Sequence, residues 1–282
     1  MIRAHHTTTW AGAKPAQVVL AFDLDGPTGD AMLSGEIWRR PGYFVLGAYG
    51  PHRAVPRILA ILRERGVRAT FFTPAWVVRT WPDLCRSIVE AGHEMAGHGD
   101  RHEMFFGLGR DEQADILRRS QQCFLDVLGR RATGFRAPSG DLTAETLELL
   151  GEFGYVYSSS MRGGDRPYRH ASAPLVEIPA KSLFDDYSVF AYHRAPNFPS
   201  GLDRIAPYAP VFRSWEEEID AAAEEGLTVA TIWHPKVIGT PGRSVLLDDF
   251  VERLVRRDDV RVMRADEVAA EYERLDTGVP SR

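Results

Sequence analysis

Short apolar runs alternate along the chain with stretches in which apolar residues recur every three or four positions. Residues 17–22 (QVVLAF) form an apolar run with β-branched side chains, which predicts a buried strand. Between residues 55 and 62, four apolar residues follow i, i+3, i+4, i+7 spacing, which predicts a helix, and Gly66 is placed to end it. Residues 69–72 (ATFF) predict the next strand.

The same alternation continues to the end of the chain and predicts an α/β protein. Several strands are nearly all apolar, which is typical of a parallel sheet covered on both faces. Seven or eight strand–helix units favour a closed barrel of parallel strands, and a doubly wound sheet is the competing architecture. No repeat or linker divides residues 1–282, so we expect a single catalytic domain. The further predicted strands span residues 93–97, 133–136, 155–158, 175–179, 227–233 and 260–263, and the further helices span residues 84–90, 111–128, 143–153, 214–225, 247–254 and 266–275.

Two long segments interrupt this pattern. Residues 26–50 are rich in glycine, and residues 184–213 separate a predicted strand from the next helix. Both exceed the length of ordinary connections, so we expect loops that shape a site. Ser214 and Glu217 have the spacing of a capping box, which predicts that the next helix begins there.

Composition and charge narrow the possible partners. The chain is 44% hydrophobic and 26% charged, with 34 Lys and Arg against 39 Asp and Glu and a net charge of -5. The charges are mixed, without the basic stripe that nucleic acid requires, so nucleic acid is not expected as a partner. Residues 1–10 lack the apolar core of a signal peptide, and no apolar run approaches a membrane span, so we expect a cytoplasmic protein with no membrane partner. Cys85 and Cys123 are predicted to be buried free thiols.

Polar residues that can carry chemistry stand at the ends of predicted strands. Asp23 and Asp25 end the first strand, His98 the third, Arg136 the fourth, and His234 the strand before the helix at residues 247–254. The carboxyl ends of the strands in a parallel barrel share one mouth. Residues more than 200 positions apart are therefore expected to converge.

Asp23 and Asp25 are spaced i, i+2, which places both carboxylates on the same face of a strand. Two unpaired carboxylates would repel each other, and a cation beside them would relieve the repulsion. A strand-end turn at Asp25 and Gly26 explains this pair alone equally well.

His98 and His102 stand in the stretch HGDRH, at the i, i+4 spacing of a zinc-binding helix. Taken alone, this spacing fits a solvated helical face better than a metal site. The preceding apolar strand and Gly97 favour the metal site, because they place the pair at a strand exit. Two histidines and one carboxylate, with positions left open, are the composition of a catalytic zinc site, although Fe²⁺, Co²⁺ or Ni²⁺ would also be accepted.

The remaining candidates have ordinary explanations when viewed singly. His234 could be a core histidine, and Arg136 could form a structural salt bridge. His93 is predicted to lie in a strand or the core, and the serines at residues 158–160 lack the context of a nucleophile elbow. Trp38 and Trp76 could narrow the mouth of the site, but packing explains them equally well.

Taken together, these residues resemble the polysaccharide deacetylase family, the carbohydrate esterases with NodB homology. One departure is that Leu24 separates the two aspartates, which many deacetylases carry side by side. This variant resembles a subgroup that contains a helicobacterial peptidoglycan-deacetylase-like protein and bacterial cyclic imide hydrolases. The subgroup in turn resembles the allantoinase-like members of the family. The matching pieces, in order, are FDLDGP at 22–27, ATFF at 69–72, GHEMAGHGDRHE at 92–103, GFRAP at 134–138 and WHP at 233–235, with the subgroup stretches GGDRPY at 163–168, VEIP at 176–179 and HPKVIGTPGR at 234–243.

The resemblance implies a distorted (β/α) barrel of NodB type, often with seven strands, and a divalent metal ion, expected to be zinc. Asp25, His98 and His102 would bind the metal. Asp23 would be the general base for the metal-activated water, oriented by Arg136, and His234 would protonate the leaving nitrogen. Phe72, through a backbone N–H at residues 72–73, and Trp76 are the expected substrate contacts.

Three functions are compatible with this pattern. The first is hydrolysis of a non-peptide amide bond, as in deacetylation of an N-acetylated sugar or glycan. The second is hydrolysis of a small cyclic imide or ureide in the cytosol. The third is a non-catalytic barrel that binds sugar or metal, and retention of the metal ligands, the base and the acid argues against it. A homo-oligomer is expected from the resemblance, because some relatives close their sites with neighbouring subunits.

Overall fold

The first apolar run forms one continuous stretch of the barrel wall. In the computed structural model, which describes residues 15–33, 35–191 and 205–276, this run is divided into strands β1 (Ala16–Val19) and β2 (Ala21–Asp23). Every residue from Ala16 to Asp23 is buried. Both faces of the strand are therefore covered, which explains why its sequence is nearly all apolar.

The other elements follow the predicted alternation closely. Helices α6 (Arg110–Leu128) and α9 (Tyr208–Glu225) end where the sequence places Gly129 and Gly226, both in the left-handed conformation that a non-glycine residue adopts only at a cost. The remaining strands are β3 (Thr70–Thr73), β4 (Glu94–Gly97), β5 (Gly134–Phe135), β6 (Tyr157–Ser158), β7 (Tyr168–Arg169), β8 (Val176–Glu177), β9 (Ala180–Asp185), β10 (Thr228–Ile232) and β11 (Val260–Met263). The helices are α1 (Thr28–Leu33), α2 (Pro41–Tyr49), α3 (Val55–Glu64), α4 (Ala75–Thr80), α5 (Pro82–Glu90), α6 (Arg110–Leu128), α7 (Ala144–Glu152), α8 (Asp186–Phe190), α9 (Tyr208–Glu225), α10 (Pro235–Ile238), α11 (Pro241–Val255) and α12 (Ala265–Asp276), with 3-10 turns at Gly35–Arg39 and Pro138–Gly140 and a π-helical turn at Gly50–Ala54.

The strands form two ladders that join into a distorted (β/α) barrel. One ladder has the order β2-β3-β4-β5-β6-β8-β7, and the other has the order β11-β1-β10-β9. They join because β1 continues into β2, because only two residues separate β8 from β9, and because Phe22 and Trp233 form a parallel bridge. All pairings are parallel among the described residues except that of β7 with β8. The predicted fold class is confirmed, with β7 as an antiparallel addition.

The distortion is located at the first strand. β11 pairs with β1, but beyond Leu20 the partner is β3, which pairs with β2. One continuous strand therefore has different neighbours at the base and at the mouth of the barrel.

Side chains of the first strand alternate between two faces, and this alternation places the Asp23 side chain inside the barrel. Val18, Leu20 and Phe22 pack in the core between the strands and the helices. Val19 and Ala21 belong to the second apolar cluster, which contains residues of several other strands. Because alternate residues of a strand share a face, Asp23 continues the series of Val19 and Ala21.

Three parts of the prediction are wrong. Most of the glycine-rich segment 26–50 is helical, because α1, a 3-10 turn and α2 occupy it. The segment 184–213 contains the end of β9, α8 and the start of α9, and its residues 192–204 lie outside the described residues. The capping box at Ser214 is not formed: α9 begins earlier, and the Ser214 hydroxyl donates a hydrogen bond of 3.0 Å to the Pro210 carbonyl within that helix.

Both cysteines are free thiols, as predicted. Cys85 is buried, whereas Cys123 is half-buried. Residues 1–10, for which a targeting role was considered, lie outside the described residues. Among the described residues, no helix is both long and apolar enough to cross a membrane.

Strand β5 requires glycine at its first position. A Cβ atom on Gly134 would lie 1.9 Å from Cζ of the Tyr157 ring. This ring is fully buried, and its hydroxyl donates a hydrogen bond of 2.8 Å to Glu94, so it is held from both ends. Gly134→Ala is expected to destabilise the protein by about 1–3 kcal/mol through overpacking, which a urea unfolding curve measures.

Gly163→Ala is the matched control, because a Cβ at Gly163 has no neighbour within 4 Å. Its unfolding midpoint should stay close to that of the unmodified protein. Equal midpoints for the two variants would show that the Gly134–Tyr157 contact is not a constraint.

Candidate active site

The strand ends open on a cleft of about 300 Å³. Its lining contains the metal-binding, basic and acidic residues predicted from the sequence. They come from the ends of four strands spread over more than 200 positions, as expected for the mouth of a parallel barrel. These lining residues are Asp23, Asp25, His98, His102, Arg136 and His234.

Asp25, His98 and His102 converge on one point. The His98 Nε2 atom lies 3.5 Å from Oδ1 of Asp25, and the His102 Nε2 atom lies 3.7 Å from Oδ2. Donor atoms bound at about 2.1 Å to a tetrahedral ion are separated by about 3.4 Å, so the observed spacing is close to that required. Oδ1 of Asp25 is buried and has no hydrogen-bond partner among the described residues. The donor set therefore fits a divalent metal ion.

The protonation states also suit metal binding. Burial lowers the pKa of both His98 and His102 to about 4, which leaves the imidazoles neutral at pH 7. The His98 Nδ1 atom lies 2.6 Å from the Arg136 carbonyl, to which it donates when Nδ1 carries the proton. This tautomer leaves the Nε2 lone pair directed at Asp25. Burial raises the pKa of Asp25, and a cation at this point would favour its ionised form.

The two histidines lie on a turn, so the prediction of a helical turn is wrong. Gly99 has φ of 76° and His102 has φ of 66°, which take the chain out of helical geometry. The Glu103 carboxylate accepts hydrogen bonds of 2.9 Å from the N–H groups of Asp100 and Arg101. A carboxylate inside the turn therefore shapes it, and the two imidazoles meet without a helix.

Asp23 is held by a buried ion pair. Nη1 of Arg136 donates a hydrogen bond of 2.6 Å to Oδ1 of Asp23. The same guanidinium donates to the Ser159 carbonyl and hydroxyl, at 2.9 and 3.0 Å, and stacks over the Phe72 ring. Burial alone would raise the pKa of Asp23, but Arg136, with His98 and His234, outweighs it and holds that pKa below its usual value. Asp23 is therefore ionised at neutral pH.

His234 is held by Asp186, which sequence reasoning missed. The His234 Nδ1 atom lies 2.7 Å from Oδ1 of Asp186, and the His234 backbone N–H donates 3.0 Å bonds to both carboxylate oxygens. Burial disfavours a charged imidazole, but the hydrogen bond and charge of Asp186 outweigh it and raise the pKa of His234 to about 10. The only sign of Asp186 in the sequence was its position beside Asp185. Asp185 ends β9, a strand that the sequence did not predict.

A second group of possible metal ligands, Asp185, Asp186 and His234, carries less weight than the first. Both oxygens of Asp186 already accept hydrogen bonds from His234. His234 approaches the first group through its other ring nitrogen, with Nε2 3.8 Å from Oδ2 of Asp25. The histidine therefore lies beside the metal-binding point, with Nδ1 hydrogen-bonded to Asp186 and with no hydrogen bond assigned to Nε2 in the described ranges.

The two predicted substrate contacts do not line the cleft. The Phe72 side chain has no exposed surface, because the Arg136 guanidinium covers its ring at 4.1 Å. Trp76 packs against Trp38 and Trp81 at ring separations of 5.1 and 5.6 Å. The expected contact of the Trp76 side chain with substrate is corrected accordingly, because packing with neighbouring rings occupies it, whereas the expected contact through a backbone N–H at residues 72–73 stays a prediction.

The fold and the site together define a class of protein. A parallel barrel carries two histidines and an aspartate at its strand ends, with a paired carboxylate and a paired histidine beside them. This is the arrangement of a barrel hydrolase that uses a divalent metal ion.

Comparisons with known proteins agree with this class. The sequence profile described as Polysaccharide deacetylase matches residues 48–158. Peptidoglycan deacetylase from Helicobacter pylori is 25% identical over 290 residues, which cover 92% of this chain and 97% of that protein. The crystal structure of a Mycobacterium smegmatis protein assigned to the polysaccharide deacetylases is 31% identical, with a TM-score of 0.90 over 100% of this chain and 97% of the other. Puue allantoinase, at 19% identity, shares the fold with a TM-score of 0.78 over 99% of this chain and 95% of its own.

The chain belongs to the polysaccharide deacetylase family. It is therefore a hydrolase of amide carbon–nitrogen bonds other than peptide bonds.

The ligand assignment can be tested by metal binding alone. Asp25→Ala is expected to weaken zinc binding by about 100-fold or more, because it removes the one anionic donor of the three. Titration against a chromophoric zinc chelator measures the affinity without any substrate.

Asp23→Asn is the matched control, because Asp23 lines the same cleft, and an asparagine of the same shape keeps an oxygen that can accept the hydrogen bond from Arg136. This variant should retain most of the zinc affinity. Unchanged zinc binding by Asp25→Ala would contradict the ligand assignment.

Proposed function

We propose that the protein hydrolyses an amide bond of a small molecule, with Asp23 as general base and His234 as general acid at a zinc site formed by Asp25, His98 and His102. The observation that carries this proposal is the pairing of the two flanking groups. Asp23 is held by Arg136, and His234, whose Nε2 atom lies 3.8 Å from Oδ2 of Asp25, is held by Asp186. A carboxylate paired with a cation and a histidine paired with a carboxylate are suited to opposite proton transfers.

The direction of the pKa shifts supports these two roles. Arg136 holds the pKa of Asp23 low, so its carboxylate is free to accept a proton at pH 7. Asp186 holds the pKa of His234 high, so its imidazolium is available to donate one. Where the surroundings shift the pKa values of two neighbouring groups in opposite directions, the directions of the shifts indicate which group is the base and which is the acid.

Each residue of the site then has a defined task. A bound zinc ion would polarise the acyl oxygen and make the attacking water more acidic. Asp23 accepts the proton of that water, and Arg136 keeps the carboxylate in place. His234 donates its Nε2 proton to the leaving nitrogen, while Asp186 fixes the ring through Nδ1. The nitrogen leaves as an amine, or stays attached as a ring-opened amide if the substrate is cyclic.

The size of the cleft supports a small substrate. About 300 Å³ lies at the lower end of the range for small-molecule sites. An N-acetylated sugar unit is the first candidate, by analogy with the Helicobacter pylori peptidoglycan deacetylase. A cyclic imide or ureide is the second, favoured by the small volume of the cleft and by the shared fold with an allantoinase.

A substrate panel assayed with and without metal tests the proposal. It contains N-acetyl sugars, succinimide, hydantoin and allantoin, and metal analysis of the purified protein accompanies it. We expect a chelator to abolish turnover and Zn²⁺ to restore it, with Co²⁺, Ni²⁺ and Fe²⁺ as the other ions to compare. Asp23→Asn should retain zinc and lose about 100-fold or more in kcat. Full activity in metal-free protein, or normal turnover by Asp23→Asn, would overturn the mechanism. Zinc binding without turnover of any panel member would favour a non-catalytic barrel.

The role of Asp186 predicts a separate loss of activity. Asp186→Asn keeps a side chain that can accept hydrogen bonds but removes the charge that holds His234 protonated. We expect kcat to fall about 10-fold or more, with zinc content unchanged.

Asp185→Asn is the matched control, since its carboxylate lies 4.0 Å from the His234 Nδ1 atom without an assigned hydrogen bond to it. A smaller loss is expected for this variant. An equal loss in both variants would show that Asp186 has no special role.

A further inference from the structure

The wall of the cleft carries a guanidinium that forms no ion pair with any described residue. Three arginine and lysine side chains line the cleft, namely Arg136, Arg162 and Lys236. Arg136 is paired with Asp23 at 2.6 Å, and Lys236 is paired with Asp30 at 2.5 Å. Arg162 is exposed, and its assigned contact within the described residues is a hydrogen bond of 3.3 Å from Nη2 to the Ser139 carbonyl.

A buried carboxylate fixes the backbone that leads to Arg162. Oε1 of Glu177 accepts hydrogen bonds from the N–H groups of Ser160 and Met161, at 2.7 and 2.8 Å. Glu177 has no exposed surface, and its other oxygen lies 2.8 Å from Nε2 of the equally buried His170. The residues just before Arg162 are therefore fixed from inside the protein, and within the described part of the chain no carboxylate neutralises the guanidinium that follows them.

The facing segment is held in a conformation that brings its carbonyl to Arg162. Ser139 has φ of 56°, a value that costs a non-glycine residue about 1 kcal/mol. At the next residue, a Cβ on Gly140 would lie 3.3 Å from Nε and Nη2 of Arg162. Backbone strain of this kind is concentrated at functional sites, and a glycine leaves room for the guanidinium.

The charge of the cleft favours an anion. Asp23, Asp25 and Asp185 line it together with the three arginine and lysine side chains, so these charges balance, and the His234 imidazolium adds one positive charge. A divalent ion at Asp25, His98 and His102 would add two more. A site with excess positive charge attracts an anionic ligand, and the attraction weakens as salt is added.

We propose that Arg162 binds a carboxylate, or an equivalent anionic group, on the substrate while its amide lies at the metal-binding point. The preferred substrates are then small amides, imides or ureides that carry a negative charge away from the bond that is cleaved. This inference rests on the proposed amide hydrolysis and refines its substrate class.

The test compares substrates that differ by one carboxylate. Hydantoin is paired with hydantoin-5-acetic acid, and N-acetylglucosamine is paired with N-acetylmuramic acid, using zinc-loaded full-length protein. For the pair that is turned over, we expect the charged member to have about 10-fold or more higher kcat/KM, since hydrogen bonds to charged groups are stronger than neutral ones. Raising the ionic strength should reduce this preference.

If Arg162 binds the anionic group, substitution of Arg162 must reduce the preference for the charged substrate. Arg162→Gln is expected to bring the ratio of charged to neutral kcat/KM close to one, and Arg162→Lys should restore part of it. Arg130→Gln is the matched control, because Arg130 is exposed beyond the end of α6 and does not line the cleft. A wild-type ratio near one, or a ratio that survives Arg162→Gln, would overturn the inference while leaving amide hydrolysis intact.

A binding measurement separates this inference from the proposed function. If no panel member is turned over, calorimetry compares succinamate with neutral succinamide on the zinc-loaded protein. We expect succinamate to bind about 10-fold more tightly, and Arg162→Gln to remove the difference. That result would uphold the anion site although the proposed activity had failed. Equal binding of the two ligands, or a difference that Arg162→Gln leaves unchanged, would reject the site itself.

Discussion

The buried ion pair between Asp23 and Arg136 is the contact on which the geometry of the cleft depends. Two charges with almost no exposed surface are tolerated only if they are paired and fully hydrogen-bonded, and removing one partner of such a pair costs about 3–5 kcal/mol. Arg136 meets this requirement through Asp23 and Ser159. Its backbone carbonyl also accepts the hydrogen bond from His98 Nδ1, at 2.6 Å, when that nitrogen carries the proton. One residue therefore positions the Asp23 carboxylate with its side chain and His98, a candidate metal ligand, with its main chain.

The convergence of His98 and His102 was predicted correctly, although the local backbone structure predicted for them was wrong. The sequence predicted a helical turn for His98 and His102, and the structure has a turn shaped by Gly99 and Glu103. The chemistry was predictable because apolar strands mark their own ends, and the polar residues at those ends converge. The backbone conformation between the two histidines was not predictable, since it depends on the Glu103 carboxylate, which accepts hydrogen bonds from the backbone of the same turn.

Other differences have equally local causes. Glycine-rich residues 26–50 predicted a loop, but they form largely helical segments that pack on one another and, for α2, on α10. Asp186 was missed because its partner His234 is 48 positions away and because the strand before it, β9, mixes buried and exposed residues without regular alternation. Leu24, which separates the two aspartates, has no exposed surface and packs in the outer core. Its burial on the opposite side explains how both aspartates face the cleft.

The exchange of neighbours along the first strand gives the wall of the barrel two sets of contacts. At the base, β1 is flanked by β10 and β11, whereas at the mouth β2 is flanked by β3 and bridged to Trp233. No described residue of β11 or α12 lines the cleft. The backbone N–H groups of Ala265 and Asp266, at the start of α12, nevertheless donate hydrogen bonds to the side chains of Thr70 in β3 and Glu94 in β4. The last helix therefore stabilises the strands that lead to the cleft without contributing a described residue to it.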